Sequence, residues 1–335
     1  MSHSNSSLNT FASCMKRYEH QYILHTAPCK PPSPHLQFGV MAHDVLHKAG
    51  LLRDESADGV VDKDKCYEVI PSDVLYPELQ AEFDIKSWNG YFTPVIKQTA
   101  EYEQELMQML LQEKDEPIYI DRELKLQLTP DDLLKMGYPG IKQPLVGIID
   151  LLIRTPTRAI IMDYKFSTTR KTQNDFDMNS QLPIYAMLVN HEYNIPVHNI
   201  RYGYIDIPKK SFETPILLSN GTLSRSKAQN VSQEMYKKSV EAVHGVGNPK
   251  YNCDPGGYYY DCWCNMALNK AAYMSVQYLD EEAYESITKD ILNAAKMVDY
   301  FIDNKLVFLK KYDAYSCANC EFVNSCKPWI TVNWE

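Results

Sequence analysis

The chain has 335 residues, 44% hydrophobic and 23% charged, enough to bury a substantial core, which excludes disordered and fibrous classes. Lys and Arg number 34 against 43 Asp and Glu, a net charge of −9, so coating nucleic acid by bulk positive charge is excluded and only local basic strips remain. No run approaches the ~20 apolar residues of a membrane span, and residues 1–10 are too polar for a signal segment, so a reducing cytoplasm is the expected setting.

Residues 4–24 read as a helix, with Ser4 or Ser6 as its cap and Leu8, Phe11, Met15, Tyr18 and Tyr22 at helical spacing. A proline-rich link (Pro28, Pro31, Pro32, Pro34) leads to a second helix over 38–52, and 72–114 is helical with a break near Gly90 and Pro94. Residues 118–128 alternate as a strand, with Ile118, Ile120, Arg122, Leu124, Leu126 and Leu128 on one face. Residues 145–153 are apolar on both faces except at Asp150, the pattern of a central strand. After the turn Thr155-Pro156-Thr157-Arg158, residues 159–166 return as a strand. A helix over 179–193 and a strand over 201–207 complete a core spanning about 36–207. Residues 208–275 form an elaboration holding a helix over 223–243, and 280–311 form a long amphipathic helix.

A turn centred between Pro156 and Thr157 places Asp150 opposite Asp163 across an antiparallel hairpin, and Lys165, two residues on, shares their face. Two carboxylates inside an apolar sheet are costly unless neutralised. Hard oxygen ligands suit Mg²⁺ or Mn²⁺, and an ion so held can activate a water and stabilise charge on a phosphate. Lys165 is then placed to steady the water or the developing charge. The plainer alternative is an internal Asp–Lys ion pair that holds the hairpin. Gln181 and Tyr185 share a helix face suited to a phosphate or base, or to packing; His43 near the start of the second helix and Glu123 on the neighbouring strand are candidate supports, or ordinary surface and core groups.

Nine cysteines are many for such a setting, and their grouping points to metal ligands before disulfides. Cys14 stands alone, Cys29 and Cys66 are scattered, and Cys317, Cys320 and Cys326 are closely spaced near the end. Cys253, Cys262 and Cys264 can bind zinc with His244, or be buried thiols, and the latter is the favoured reading. Tyr258, Tyr259, Tyr260 and Trp263 beside them read as local core rather than a stacking platform for bases.

In order along the chain, the Ser4–Cys14 segment, Phe38-Gly39-Val40-Met41-Ala42-His43, Gly147-Ile148-Ile149-Asp150, Asp163-Tyr164-Lys165 and Gln181-x-x-x-Tyr185 resemble the RecB-like PD-(D/E)XK nucleases. Each motif is weak; the ordered set is specific and spans most of the chain. The resemblance implies a single α/β domain with a restriction-endonuclease-like core, a mixed central β-sheet flanked by helices. It implies that His43, Asp150, Asp163 and the backbone carbonyl of Tyr164 ligate Mg²⁺ or Mn²⁺ and that Lys165 is the catalytic lysine. Gln181 and Tyr185 would hold the substrate strand, with Glu123 at a looser acidic position.

Cys317-x2-Cys320-x5-Cys326 with distant Cys14 is similar to the iron–sulfur subgroup of that family, which includes the AddB nuclease domain and CRISPR-adaptation nucleases. In that subgroup such a set binds a [4Fe-4S] cluster, here joining helix 4–24 to a tail over 312–330; spacing by itself equally allows a zinc site of four cysteines. The implied activity is hydrolysis of single-stranded DNA or DNA ends by an exonuclease in recombination, repair or phage DNA processing, in the host cytoplasm if phage-encoded. The chain has no P-loop motif, so any helicase or recombination partner is separate. The rival is a catalytically inactive nucleic-acid-binding or adaptor protein with a zinc site. Arg170 with Lys171, Lys209 with Lys210, and Arg225 with Lys227 are candidate cations for a strand, and a face carrying Lys165, Arg170 and Lys171 is expected to be positive.

Overall fold

The computed structural model describes residues 1–54, 65–111, 116–167, 171–177, 179–309, 311 and 314–326. Helix α1 (Asn5–Ser13) starts at Ser4, whose side chain accepts the Ser7 N–H while Ser7 caps in return. The single helix expected over 4–24 is broken at Cys14, which takes an extended backbone with φ −161°. It resumes as α2 (Met15–Tyr18) and a π-helical turn (Glu19–Ile23). The break has a tertiary cause: the Lys16 N–H bonds to the Leu309 carbonyl of the C-terminal segment at 3.0 Å rather than to its own helix.

Helices α3 (Pro34–Asp54), α4 (Pro77–Glu82) and α5 (Trp88–Leu111) follow. Helix α5 runs unbroken through Gly90 and Pro94, because Trp88, Tyr91, Phe92, Val95 and Ile96 bury one continuous face across the proline. Strand β1 (Tyr119–Leu128) is followed by the short α6 (Pro130–Lys135), and β2 (Leu145–Arg154) and β3 (Ala159–Ser167) form a hairpin. Helices α7 (Gln173–Asp177) and α8 (Gln181–Tyr193) make the crossover to β4 (Ile200–Pro208), which lies parallel to β3.

In the elaboration, only α9 (Gln233–His244) of the helix expected over 223–243 forms. The residues before it are held as irregular chain by the bond from the Leu223 N–H to the Tyr259 hydroxyl and by buried Gln229. After α10 (Tyr260–Met266), the unanticipated strand β5 (Tyr273–Tyr278) adds an antiparallel edge to β4. Helix α11 (Glu281–Asp303) stops short of the expected residue 311, and α12 (Ala314–Ala318) opens the cysteine-rich tail.

The result is a five-stranded mixed sheet in the order β1-β2-β3-β4-β5 between two helical layers. On one face lie Phe38, Val45, Trp88 and Phe92 of α3 and α5; on the other lie Leu182, Tyr185, Leu188 and Leu292 of α8 and α11. No helix among the described residues is long and apolar enough to cross a membrane.

Candidate active site

The β2–β3 ladder runs from Arg154 opposite Ala159 to Leu151 opposite Met162, the register expected from a turn centred between Pro156 and Thr157. Its next rung would join Asp150 to Asp163. Instead, Asp150 Oδ2 accepts the Tyr164 N–H at 2.7 Å. A side-chain carboxylate takes the place of a strand carbonyl, and the two strands part around the acids.

The opposite neighbour, β1, departs from its ladder at the same level. Arg122 pairs with Leu151 and Leu124 with Ile149; between them Glu123 sits at φ +47°. A left-handed non-glycine residue in mid-strand costs about 1–2 kcal/mol. Its effect is a change of face. Ile118 and Ile120 pack into the α3–α5 layer, whereas Leu126 and Leu128 pack into the α8 layer, although strict alternation would keep all four together.

A buried ionic network holds this break. Arg122 donates to Asp54 at 2.8 and 3.1 Å and to Glu103 at 3.0 and 2.7 Å. Arg53 donates to Glu103 at 2.6 Å, and the Tyr164 hydroxyl reaches it at 3.4 Å. Burial pushes the Glu103 carboxyl up, but its bonds to the two arginines outweigh that and hold it below the usual range. Gly50 makes room for the guanidinium: a Cβ there would meet Arg122 Nε at 2.5 Å. Sequence reasoning missed Glu103, Arg53 and Asp54. The signal was Arg122, an arginine on the apolar face of a strand, which demands buried carboxylates.

Together these features converge three side chains from three elements. His43 Nδ1 of α3 lies 3.5 Å from Asp150 Oδ1 and 3.9 Å from Glu123 Oε1, and the three offer ligand atoms all within 4.8 Å of one another. Burial, then repulsion from Asp163, pushes the Asp150 carboxyl well above its usual value; burial also raises Glu123. Burial lowers His43, favouring the neutral imidazole that can donate a lone pair. Two carboxylates and a neutral imidazole fit a hard divalent cation bound at about 2.0–2.2 Å with little movement.

Asp163, 2% exposed, stands beside this trio rather than in it. Its Oδ2 is 2.5 Å from Lys165 Nζ, and its Oδ1 accepts from Gln181 Nε2 at 3.2 Å. Gln181 also accepts from Lys165 Nζ at 3.3 Å and donates to the Tyr185 hydroxyl at 2.6 Å. All the residues singled out around the hairpin therefore share one site, with the Asp–Lys ion pair formed inside it. Gly147 lets α8 approach: a Cβ there would lie 2.7 Å from Leu188 and 2.9 Å from the Tyr185 ring.

The tail docks on the N-terminal helix. Arg17 pairs with Glu321 at 2.8 Å, the Cys29 N–H bonds to the Glu321 carbonyl at 2.8 Å, and His20 stacks on Phe322. Burial raises the Cys320 thiol, with Cys14 among the smaller contributors. Cys317 reaches the Lys311 carbonyl at 3.3 Å, and the Cys326 N–H closes a turn on Phe322. Residues 312–313 and 327–330 of the expected tail lie outside the described residues. Cys253 and Cys262 are buried in a satellite apolar cluster with Tyr236 and Tyr259, and burial pushes the Cys253 thiol up to about 11. Cys264 is exposed, and His244 bonds to the Tyr259 hydroxyl at 2.9 Å. Among the described residues these three thiols and His244 do not form a group close enough to hold an ion.

Among the described residues, most of the cations expected along a strand are engaged within the protein. Lys171 pairs with Asp175 at 3.4 Å, its N–H bonds to Asp206 at 3.0 Å, and Arg170 lies outside the described residues. Lys209 is buried against His35, Phe38 and Phe83, Lys210 pairs with Glu213, and Arg225 covers the Tyr258 ring.

The sequence profile of the PD-(D/E)XK nuclease superfamily matches residues 2–327. No curated protein matches the chain. Among solved structures, a Eubacterium rectale protein carrying a provisional exonuclease name is 8% identical over 98% of this chain and 89% of its own, with a TM-score of 0.45. The protein SSO0001 is 11% identical over 85% of this chain and 83% of its own, with a TM-score of 0.25.

Proposed function

Because the chain belongs to the PD-(D/E)XK nuclease superfamily, we propose that it is a DNA exonuclease acting on single strands or ends, with Mg²⁺ or Mn²⁺ at the hairpin site. The observation that carries this reading is the parted rung of the β2–β3 hairpin. It turns Asp150 towards His43 and Glu123 while Asp163 and Lys165 stay on the same face. In this reading His43, Glu123, Asp150, Asp163 and the Tyr164 carbonyl hold the ion. When bound, a divalent ion supplies a water of lowered pKa and neutralises charge on the phosphate.

The chain's own groups do the rest. Lys165 Nζ, steered by Asp163 and Gln181, positions the attacking water or steadies the charge that builds on the phosphate oxygens. Gln181 and Tyr185, locked to each other, orient the strand. The Glu103–Arg122–Arg53 network holds Tyr164 and the Glu123 turn in place, so that the ligands need not reorganise.

The proposal extends to the cysteines. Cys14, Cys317, Cys320 and Cys326 bind a [4Fe-4S] cluster that fastens the tail to the break between α1 and α2. Zinc is the second candidate for these thiols, and iron content with visible absorbance decides between them. The setting is host cytoplasm and phage or repair DNA processing, with any helicase supplied by a separate protein.

Anaerobically purified protein incubated with end-labelled single- and double-stranded DNA tests the activity. Degradation is expected with Mg²⁺ or Mn²⁺ and none with chelator. Asp163→Ala abolishes it with DNA binding retained, and Lys165→Ala slows it by about 10²–10³. Metal-independent degradation, or an Asp163→Ala variant as active as wild type, refutes the assignment.

A further inference from the structure

A cleft of about 710 Å³ opens beside Gln181 and Tyr185, on the side of β2 away from β3. Its walls come from the N-terminal segment (Ser4, Tyr22, His25) and from the β1–β2 surface (Lys125, Ile148). Lys125 and Ile148 are register partners two residues from the Glu123–Asp150 level. The face change at Glu123 matters here: beyond it, Leu124 and Leu126 turn inward to the α8 layer. Lys125 and the 49%-exposed Ile148 are therefore left to solvent along the cleft.

The chemistry of the lining is unlike the rest of this acidic chain. None of the thirteen described residues lining the cleft is Asp or Glu, in a protein with 43 of them. The lining carries a lysine, a histidine, several hydroxyls, and the half-buried Tyr22 ring, backed by Tyr18 at 5.0 Å. By contrast, Lys171 and Lys210 outside it are paired with carboxylates.

We propose that this cleft is the strand subsite of the enzyme, taking the unpaired nucleotides next to the scissile phosphate. Lys125 meets a backbone phosphate and Tyr22 offers a face for a base. The proposal rests on the nuclease reading above and names its substrate class as single-stranded. The volume falls in the ~300–1,000 Å³ range of sites that enclose a small organic molecule. That suits about one or two unpaired nucleotides. Stacking on aromatic rings with a few phosphate contacts is how unpaired strands are held without sequence preference.

Two substrates separate this inference from the activity it rests on. A strand of about 20 nucleotides, longer than the ~4–16 of a typical single-strand site, spans the cleft; bis(p-nitrophenyl) phosphate reaches only the metal site. Lys125→Ala is expected to raise KM for the strand about fivefold and to reduce the log–log salt slope of binding by about 0.7, with hydrolysis of the small diester unchanged. Tyr22→Ala is expected to weaken strand binding about tenfold, and Lys125→Arg to behave as wild type. Equal slowing on both substrates, or an unchanged salt slope in Lys125→Ala, overturns the subsite. Should wild type hydrolyse neither substrate, the nuclease reading fails. The subsite is then judged by fluorescence anisotropy of a labelled strand, where loss of binding in Lys125→Ala supports the cleft and unchanged binding overturns it.

Discussion

Asp150→Asn is expected to stabilise the metal-free protein and to destroy its response to metal. Asp163 repels Asp150 enough to help raise its carboxyl, and a separation of about 5 Å serves for scale. At an effective dielectric of ~20 their repulsion is about 3 kcal/mol. Lys165, 2.5 Å from Asp163, offsets part of this and leaves roughly 1–2 kcal/mol. An asparagine oxygen can still accept the Tyr164 N–H that Asp150 holds at 2.7 Å, so little is lost in exchange. For a chain of 335 residues the gain corresponds to a rise in Tm of about 1.5–3 °C in chelator. Adding Mn²⁺ at about a hundredfold excess over Kd stabilises wild type by about 2.7 kcal/mol, whereas the variant, short of one ligand, gains far less, so the order of the two proteins reverses. The pH dependence has a definite sign. Burial and Asp163 raise the Asp150 carboxyl in the fold, so metal-free wild type loses stability as pH rises from the ordinary carboxylate value towards the raised one. The gap between the proteins opens with pH and closes below about pH 4. Differential scanning fluorimetry with chelator and with Mn²⁺ reads all of this. A variant that melts below wild type in chelator, or that gains as much from Mn²⁺, refutes the reasoning.

Three further perturbations probe the supporting structure. Glu103→Ala leaves Arg53 and Arg122 buried without their shared carboxylate and is expected to cost about 3–5 kcal/mol by urea denaturation. Glu103→Gln costs less at neutral pH. Because the native Glu103 carboxyl is held below its usual value, its contribution is present above about pH 4.3 and lost as pH falls through the depressed value. Gly147→Ala drives a methyl against Leu188 and the Tyr185 ring; the expected cost is about 1–3 kcal/mol, with a larger loss of kcat as Tyr185 is displaced from Gln181. Cys14→Ser is expected to lower bound iron and visible absorbance sharply, while Cys253→Ser and Cys262→Ser, in the satellite core, leave iron content unchanged.

Local pattern was enough to anticipate strands β1 to β4, helices α3, α5 and α8, and the β2–β3 register from Arg154 opposite Ala159 to Leu151 opposite Met162, but not the replacement of the next rung by the bond from the Tyr164 N–H to Asp150. Strand alternation and a short turn are short-range properties, and a register counted outward from a nearby turn has little length over which to slip. Tertiary structure decided the rest. Whether Glu123 joined His43 and Asp150 depended on a left-handed residue in mid-strand. A backbone state of that kind persists only where a network such as Arg122 with Glu103 and Asp54 outweighs its cost. The break at Cys14 likewise follows from the bond between Lys16 and Leu309, a partner near the other end of the chain that no helical period anticipates. Periodicity reports what each residue prefers by itself; the metal-ready geometry arises where distant partners override that preference.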